Sequence, residues 1–221
     1  MLKLIIGNKV YSSWSLRGWL AVRQSGLPFE EVVVSLYDDS WAMRRLHADL
    51  APSAGKVPTL WDGDIAIWDS IAIIDYLDAQ TGGTQFWPKE KAALALARSI
   101  SAEMHAGYVA LRSQHSMNLR LDLTSEPTPE VQADIDRIMA LWAQARTRFG
   151  GAGDYLFGDF GAADIMFAPV VTRFQNYGLP VTPLGRAYMD AILAHPFMRE
   201  WIADAEAEDI VIEKFEPAGT D

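Results

Sequence analysis

The hydrophobic periodicity of the chain changes near residue 80, and this change restricts the fold more than any other feature. Before it, strand and helix signals alternate. "KLIIGN" reads as a short buried strand. "SSWSLRGWLAVRQSG" reads as a helix, with serines at its start, Leu16 and Leu20 four apart, and Gly26 and Pro28 as stop signals. "FEEVVVSL" is β-branched and strand-like, and "SWAMRRLHADL" predicts a shorter amphipathic helix ending before Pro52. Asp62-Gly63-Asp64, between "VPTLW" and "IAIW", is a hairpin turn signal. A helix from Ser70 to about Ala79 is apolar almost all round, which predicts burial. After "QTGGTQFWPKE", rich in turn formers, strand signals nearly vanish. Helical periodicity then runs from Lys89 to about Leu121, and again over about 129–149, 162–175, 184–194 and 197–207, with Pro129 suited to a first helical position. The order predicts an α/β unit with a terminal antiparallel hairpin over 1–80, a linker over 81–88 and an all-helical domain over 89–221.

Composition narrows the function. The 221 residues suffice for one large or two small domains with a real core, and 22% charge is ordinary for a soluble globular protein. No apolar run is long enough for a membrane helix, and the N-terminus turns strand-like too early for a signal peptide. There is no cysteine, which excludes disulfides, thiolate metal sites and redox chemistry on a protein thiol, and fits the cytosol. A net charge of −10 without a basic block disfavours nucleic acid and anionic membranes as partners. The four histidines lack metal-ligand spacing, so no metal is expected.

Three local patterns carry candidate chemistry. Pro58 opens a strand, either as an edge residue whose missing N–H is harmless or as a cis bond exposing the Val57 backbone to a ligand. Asp69 and Ser70 stand at a helix mouth, either as plain caps or as a site for an α-amino acid end. In the second reading, helix N–H groups and the serine hydroxyl take the carboxylate and the acid takes the ammonium. Ser12 and Ser13 follow the first strand, where α/β sheets gather ligands, and are either ordinary caps or hydroxyl donors to a thiolate.

Taken together, "SSWSLR", "GKVPTL", the "DS" that opens "SIAIIDYL" and the helical second half resemble a soluble glutathione S-transferase over nearly the whole chain. The serine start and its spacing to Arg17 are most similar to the serine-type classes, especially zeta, and to related bacterial enzymes. The resemblance implies a thioredoxin-like N-terminal domain followed by an all-α C-terminal domain, and a cis Val57–Pro58 bond. It implies glutathione as co-substrate, a small electrophile as its partner, a cytoplasmic location and a homodimer. Val57 would pair with the cysteinyl part of glutathione, Asp69 and Ser70 would hold the γ-glutamyl end, and Lys56 would approach the glycyl carboxylate. Ser12 matches the thiolate-activating serine, with Ser13, Ser15 and Tyr11 as possible support. Met104, Tyr108, Leu111 and Arg112 have the spacing to share one helix side facing the electrophile, and Trp14 would sit beside the sulfur.

Two positions depart from the pattern. Trp14 stands where the zeta pattern has cysteine, which counts against maleylacetoacetate isomerisation. Gly161 stands where "FGAADI" would carry a hydroxyl cap ahead of Asp164, with Phe160 and Ile165 as a hydrophobic staple. Glutathione-dependent isomerisation, peroxide reduction and a non-catalytic glutathione-binding module remain as alternative activities.

Overall fold

The computed structural model describes residues 1–216. Four strands form one mixed sheet: β1 (Leu2–Gly7), β2 (Phe29–Val34), β3 (Thr59–Asp62) and β4 (Ile65–Ile67), in the order β2-β1-β3-β4. β1 runs parallel to β2, and β3 is antiparallel to both β1 and β4. Leu2, Leu4 and Ile6 point to one face and Ile5 to the other, as strand alternation requires, so both faces are covered. α1 (Ser13–Ser25) and α3 (Ser70–Gln80) pack on the first face through Leu16, Trp19, Leu20, Ile73, Ile74 and Leu77. α3 is buried along this stripe alone, since Asp75, Ala79 and Gln80 are exposed. Gly18 lets α1 approach the β3 entry: a Cβ there would lie 2.7 Å from the Pro58 ring.

The second segment read as a helix is only one turn, α2 (Trp41–Arg44): none of its residues is fully buried, and Trp41 alone among them packs against the core, too little to sustain a longer helix.

The helical half comprises α4 (Lys91–Ala106), α5 (Val109–Gln114), α6 (Pro129–Phe149), α7 (Ala162–Asn176), α8 (Pro183–Ala194) and α9 (Pro196–Glu206), followed by a 3-10 turn at Glu213–Phe215. The expected continuous helix from Lys89 to Leu121 is therefore two helices. Gly107 is extended and Tyr108 is left-handed at φ 57°, which ends α4 and re-aims α5. α7 is buried from Ala162 through Phe174 and forms the axis of this half. Its start is tied by Asp164, whose carboxylate accepts from the N–H groups of Gly161 (2.9 Å) and Leu156 (3.1 Å) and from the Tyr188 hydroxyl (3.0 Å). α7 also packs on α1, so one continuous core joins the two halves.

Candidate active site

A cleft of about 1130 Å³ opens beyond the carboxyl ends of β1 and β2, where α/β sheets collect ligands. The segment after β1 supplies Tyr11 to Trp14, and the loop before β3 supplies Pro52 to Pro58. Trp68 and Asp69 come from the mouth of α3, and Val109, Arg112 and Arg173 from the helical half.

Ser12 caps α1, and its Oγ accepts from the Ser15 N–H at 3.3 Å. The Ser12 and Ser15 hydroxyls are 2.7 Å apart, and Ser15 Oγ also accepts from the Gly7 N–H at 2.9 Å. A hydroxyl pair can run in either direction. Ser12 therefore has a buried neighbour able to donate to it whenever its own proton turns toward the cleft. Ser15 is fully buried and does not line the cleft, so it supports Ser12 and does not replace it. Ser13 lines the cleft 3.4 Å from Arg173 Nη2.

Tyr11 faces the other way chemically. Its hydroxyl donates to Glu216 at 2.6 Å, and burial, then this bond, raises its pKa above the usual phenol value. A phenol so committed is a poor partner for a thiolate.

The loop before β3 is braced by Ser53, whose hydroxyl lies 2.7 Å from the Lys56 carbonyl. The Val57–Pro58 bond is cis, as is Trp68–Asp69. Among the described residues, the Val57 N–H and C=O find no hydrogen-bond partner, which leaves an open backbone edge facing the cleft. Lys56 is exposed at the rim beside it.

Asp69 occupies the N-cap of α3 but makes no capping bond. Its carboxylate accepts from the Ser70 hydroxyl at 3.1 Å and lies 3.3 Å from His105 Nε2. The first N–H groups of α3 are thus uncovered by the cap side chain. Ser70 is fully buried and does not line the cleft, and its hydroxyl is turned to Asp69.

Of the four helical residues expected to face the second substrate, only Arg112 does. Met104 and Leu111 are fully buried in the core. The Tyr108 hydroxyl turns to Glu103 at 2.9 Å, and burial raises its pKa. Their shared spacing assumed one helix, and the break at Gly107–Tyr108 removes that face. Arg112 Nη1 donates to the carbonyls of His105 and Gly107, both at 3.2 Å, and so stitches the break. Its guanidinium carbon lies 5.1 Å from the centre of the Trp14 ring, and that of Arg17 lies 4.8 Å from it.

Sequence reasoning missed Arg173, Arg45, Tyr37, Trp41 and Phe215, all of which line the cleft. Arg173 sits in the most buried helix, where an isolated arginine is itself a signal. The other four depend on tertiary packing. Phe215 stacks on Tyr11 with ring centres 5.8 Å apart, so the segment after α9 closes one side of the cleft.

The loop carrying Ser12 is held from far along the chain. Lys9 is nearly buried, with its ammonium 2.7 Å from Glu31 and 2.6 Å from Asp204. Glu208 accepts from the backbone N–H groups of Lys9 (2.6 Å) and Val10 (3.2 Å), and Trp201 Nε1 donates to the Lys9 carbonyl at 3.1 Å.

Residues 11–80 match the family model for the glutathione S-transferase N-terminal domain, and residues 128–204 match that for the C-terminal domain. The chain belongs to the glutathione S-transferase family. It is 31% identical over 135 residues to glutathione S-transferase GstB of Escherichia coli, covering 58% of this chain and 64% of that relative. The chain thus spans a little under two thirds of that transferase's length. It is 27% identical to glutathione S-transferase 1 of Dianthus caryophyllus, over 85% of each chain. A glutathione transferase homolog from Burkholderia GL BGR1 with bound glutathione superposes with a TM-score of 0.69 at 20% identity, covering 94% of this chain and 99% of that transferase.

Proposed function

We propose that the protein binds glutathione along the open edge of Val57, ionises its thiol at Ser12 and presents the thiolate to a small electrophile. The observation that carries this reading is the convergence, in one cleft, of an unpaired backbone edge, a helix mouth bearing a part-exposed carboxylate and a serine hydroxyl at the cap of the first helix. In it, the Asp69 carboxylate receives the γ-glutamyl ammonium and the uncovered N–H groups of α3 receive the adjoining carboxylate. Lys56, with Arg45 beside it on the rim, meets the glycyl carboxylate.

The energetics suffice without a general base. A free thiol of pKa about 8.5 is only about 3% ionised at pH 7, and lowering that pKa to about 7 requires about 2 kcal/mol of selective stabilisation. One hydrogen bond to a charged group contributes about 1.5–3 kcal/mol. The commitment of the Tyr11 hydroxyl to Glu216 supports Ser12 in this role, and with it a serine-type enzyme.

Replacement of Asp69 by alanine tests the binding half of the proposal. Its side chain is 45% exposed, so solvent screens the ammonium pair. Glutathione affinity should fall by about ten-fold, the lower end for a charged hydrogen bond. The melting temperature should fall only modestly, because Asp69 makes no capping bond and its loss unpairs one buried hydroxyl, that of Ser70. Unchanged affinity in calorimetric titration would return Asp69 to a structural role. Bound glutathione without thiolate absorbance would instead describe a binding module, and a panel of electrophiles and hydroperoxides separates transfer from isomerisation and peroxide reduction.

The same reading takes the protein as a cytoplasmic homodimer. Edge strand β4 and the mouth of α3 leave Ile65 54% and Trp68 47% exposed, an apolar strip suited to a second copy. Light scattering at micromolar concentration should give twice the chain mass, and a monomer would exclude this arrangement.

A further inference from the structure

The chain carries a net charge of −10, yet among the described residues the cleft is lined by four cations, Arg45, Lys56, Arg112 and Arg173, and by one acid, Asp69. Glutathione accounts for part of this. Its glycyl carboxylate takes the rim pair Lys56 and Arg45, its ammonium takes Asp69, and its second carboxylate takes the mouth of α3. Among the described residues, Arg112 then has only Asp69 nearby, shared with that ammonium, and Arg173 pairs with no acid.

These two are built into the fold. Arg173 is 5% exposed, and its guanidinium is aimed by bonds to the carbonyls of His115 and Pro169, both at 2.8 Å. Both carbonyls are neutral, and Nη2 reaches only the Ser13 hydroxyl at the cleft wall. Arg112 is likewise held by two carbonyls. Behind Trp14 a third guanidinium, Arg17, is 1% exposed, and its Nε and Nη1 have no partner among the described residues. Burial and then the neighbouring Arg173 and Arg112 charges lower the pKa of Arg17 to about 9, and burial followed by Arg112 lowers that of Arg173 to about 10. Asp69 offsets Arg17 and Arg112 in part, and the remaining excess of positive charge in a partly enclosed site favours an added anion.

We propose that the second substrate is a carboxylate-bearing electrophile whose anionic group sits between Arg112 and Arg173 and whose planar apolar part lies against Trp14. The proposal rests on the transferase reading for the chemistry but not for the anion seat. Two guanidiniums in reach of one carboxylate give charge-assisted bonds of the strongest ordinary kind, and Val109 and Met117 supply apolar wall nearby. The seat selects the substrate and orients it toward the sulfur at Ser12.

The test uses a chlorodinitrobenzoate and its neutral carboxamide. With either, the glutathione thiolate forms a carbon–sulfur bond, the carbon–chlorine bond breaks and chloride leaves with its electron pair. Rates are divided by the uncatalysed rate of each compound, which removes their different intrinsic reactivity. The corresponding dinitrobenzoate and dinitrobenzamide, which lack the leaving group, are titrated calorimetrically into the full chain with and without glutathione. The wild type should bind the benzoate about ten-fold or more tighter than the amide and prefer the acid similarly in turnover. Arg112→Gln should erase that preference, and Arg112→Lys should keep part of it. Melting curves identify any variant that fails to fold, in which case the wild-type comparison of acid with amide still decides. Equal affinity for the two probes overturns the proposal, as does a preference that survives in folded Arg112→Gln. Displacement of the benzoate by glutathione also overturns it, because the anion would then occupy the rim pair. Absence of glutathione binding would sink the transferase reading alone, since the probe titration reads the anion seat independently.

Discussion

Asp164→Ala should destabilise the protein by about 3–5 kcal/mol, the range for removing one member of a buried polar network. The Gly161 and Leu156 N–H groups and the Tyr188 hydroxyl would each lose an acceptor in the interior, and each orphaned group costs about 1–3 kcal/mol. Chemical denaturation with an unchanged m-value is the measurement, and a loss below about 1 kcal/mol would show that other groups satisfy these donors. The same residue gives a signed pH effect. Burial raises the Asp164 pKa from 3.8 to about 6, against the donors that lower it. Between those values the folded chain holds a proton that the unfolded chain has lost, so this contribution to stability falls as pH rises from about 4 to about 6. Asp38, Asp49, Glu90 and Glu103 are lowered instead and act in the opposite sense. The difference between wild type and Asp164→Asn over that window isolates the one group, and parallel curves would contradict the assignment.

Ser12→Ala should raise the pKa of the bound glutathione thiol by about one to two units, the equivalent of losing a 1.5–3 kcal/mol hydrogen bond. Turnover near neutral pH should fall by roughly 10–100-fold, while glutathione affinity changes little because Val57 and Asp69 still hold the tripeptide. The Ser12–Ser15 contact adds a graded expectation. Ser15→Ala removes the donor behind Ser12 and the acceptor of the Gly7 N–H, so it should raise the thiol pKa less than Ser12→Ala and also lower the melting temperature. Ultraviolet titration of the bound thiolate should leave Tyr11→Phe near wild type, since the Tyr11 hydroxyl serves Glu216. If Ser12→Ala titrates like wild type and Ser13→Ala does not, the sulfur lies at the Arg173 side of the helix start.

Features encoded within a few neighbouring residues were legible in the sequence. A short apolar run placed β1, Asp62-Gly63-Asp64 placed the β3–β4 hairpin, and Pro129 placed the start of α6, where Thr128 Oγ1 accepts from the Val131 N–H. Features set by what a segment packs against were not. Apolar spacing assigned Met104 and Leu111 to a helix face but not to the core, and Gly107-Tyr108 carries no proline to announce a break. "SWAMRRLHADL" has a helical pattern, yet only Trp41 and Leu50 at its two ends reach the core, and the apolar residues between them, Met43 and Leu46, stay exposed. The serines divide the same way. Ser12, Ser13 and Ser15 are equivalent hydroxyls in sequence, and only the closeness of β1 to α1 turns Ser15 inward onto the Gly7 N–H. Arg173 and Arg45 reach the cleft from segments far from the motifs, as does Phe215 from beyond α9.

The tie between Lys9 and the far end of the chain bears on how such a protein can diversify. The first domain looks like a portable cassette that a new helical half could adopt for a new substrate. It is portable only within limits, because the Lys9 ammonium, three residues before Ser12, depends on Asp204 as well as Glu31, and the Lys9 N–H on Glu208. A chimera whose second half lacked acids at those two places would leave that ammonium short of counter-charge and the loop loose. The position of Ser12 would be disturbed although every cleft residue was kept. Domain exchange is therefore constrained at Asp204 on α9 and at Glu208 just beyond it, neither of which lines the cleft.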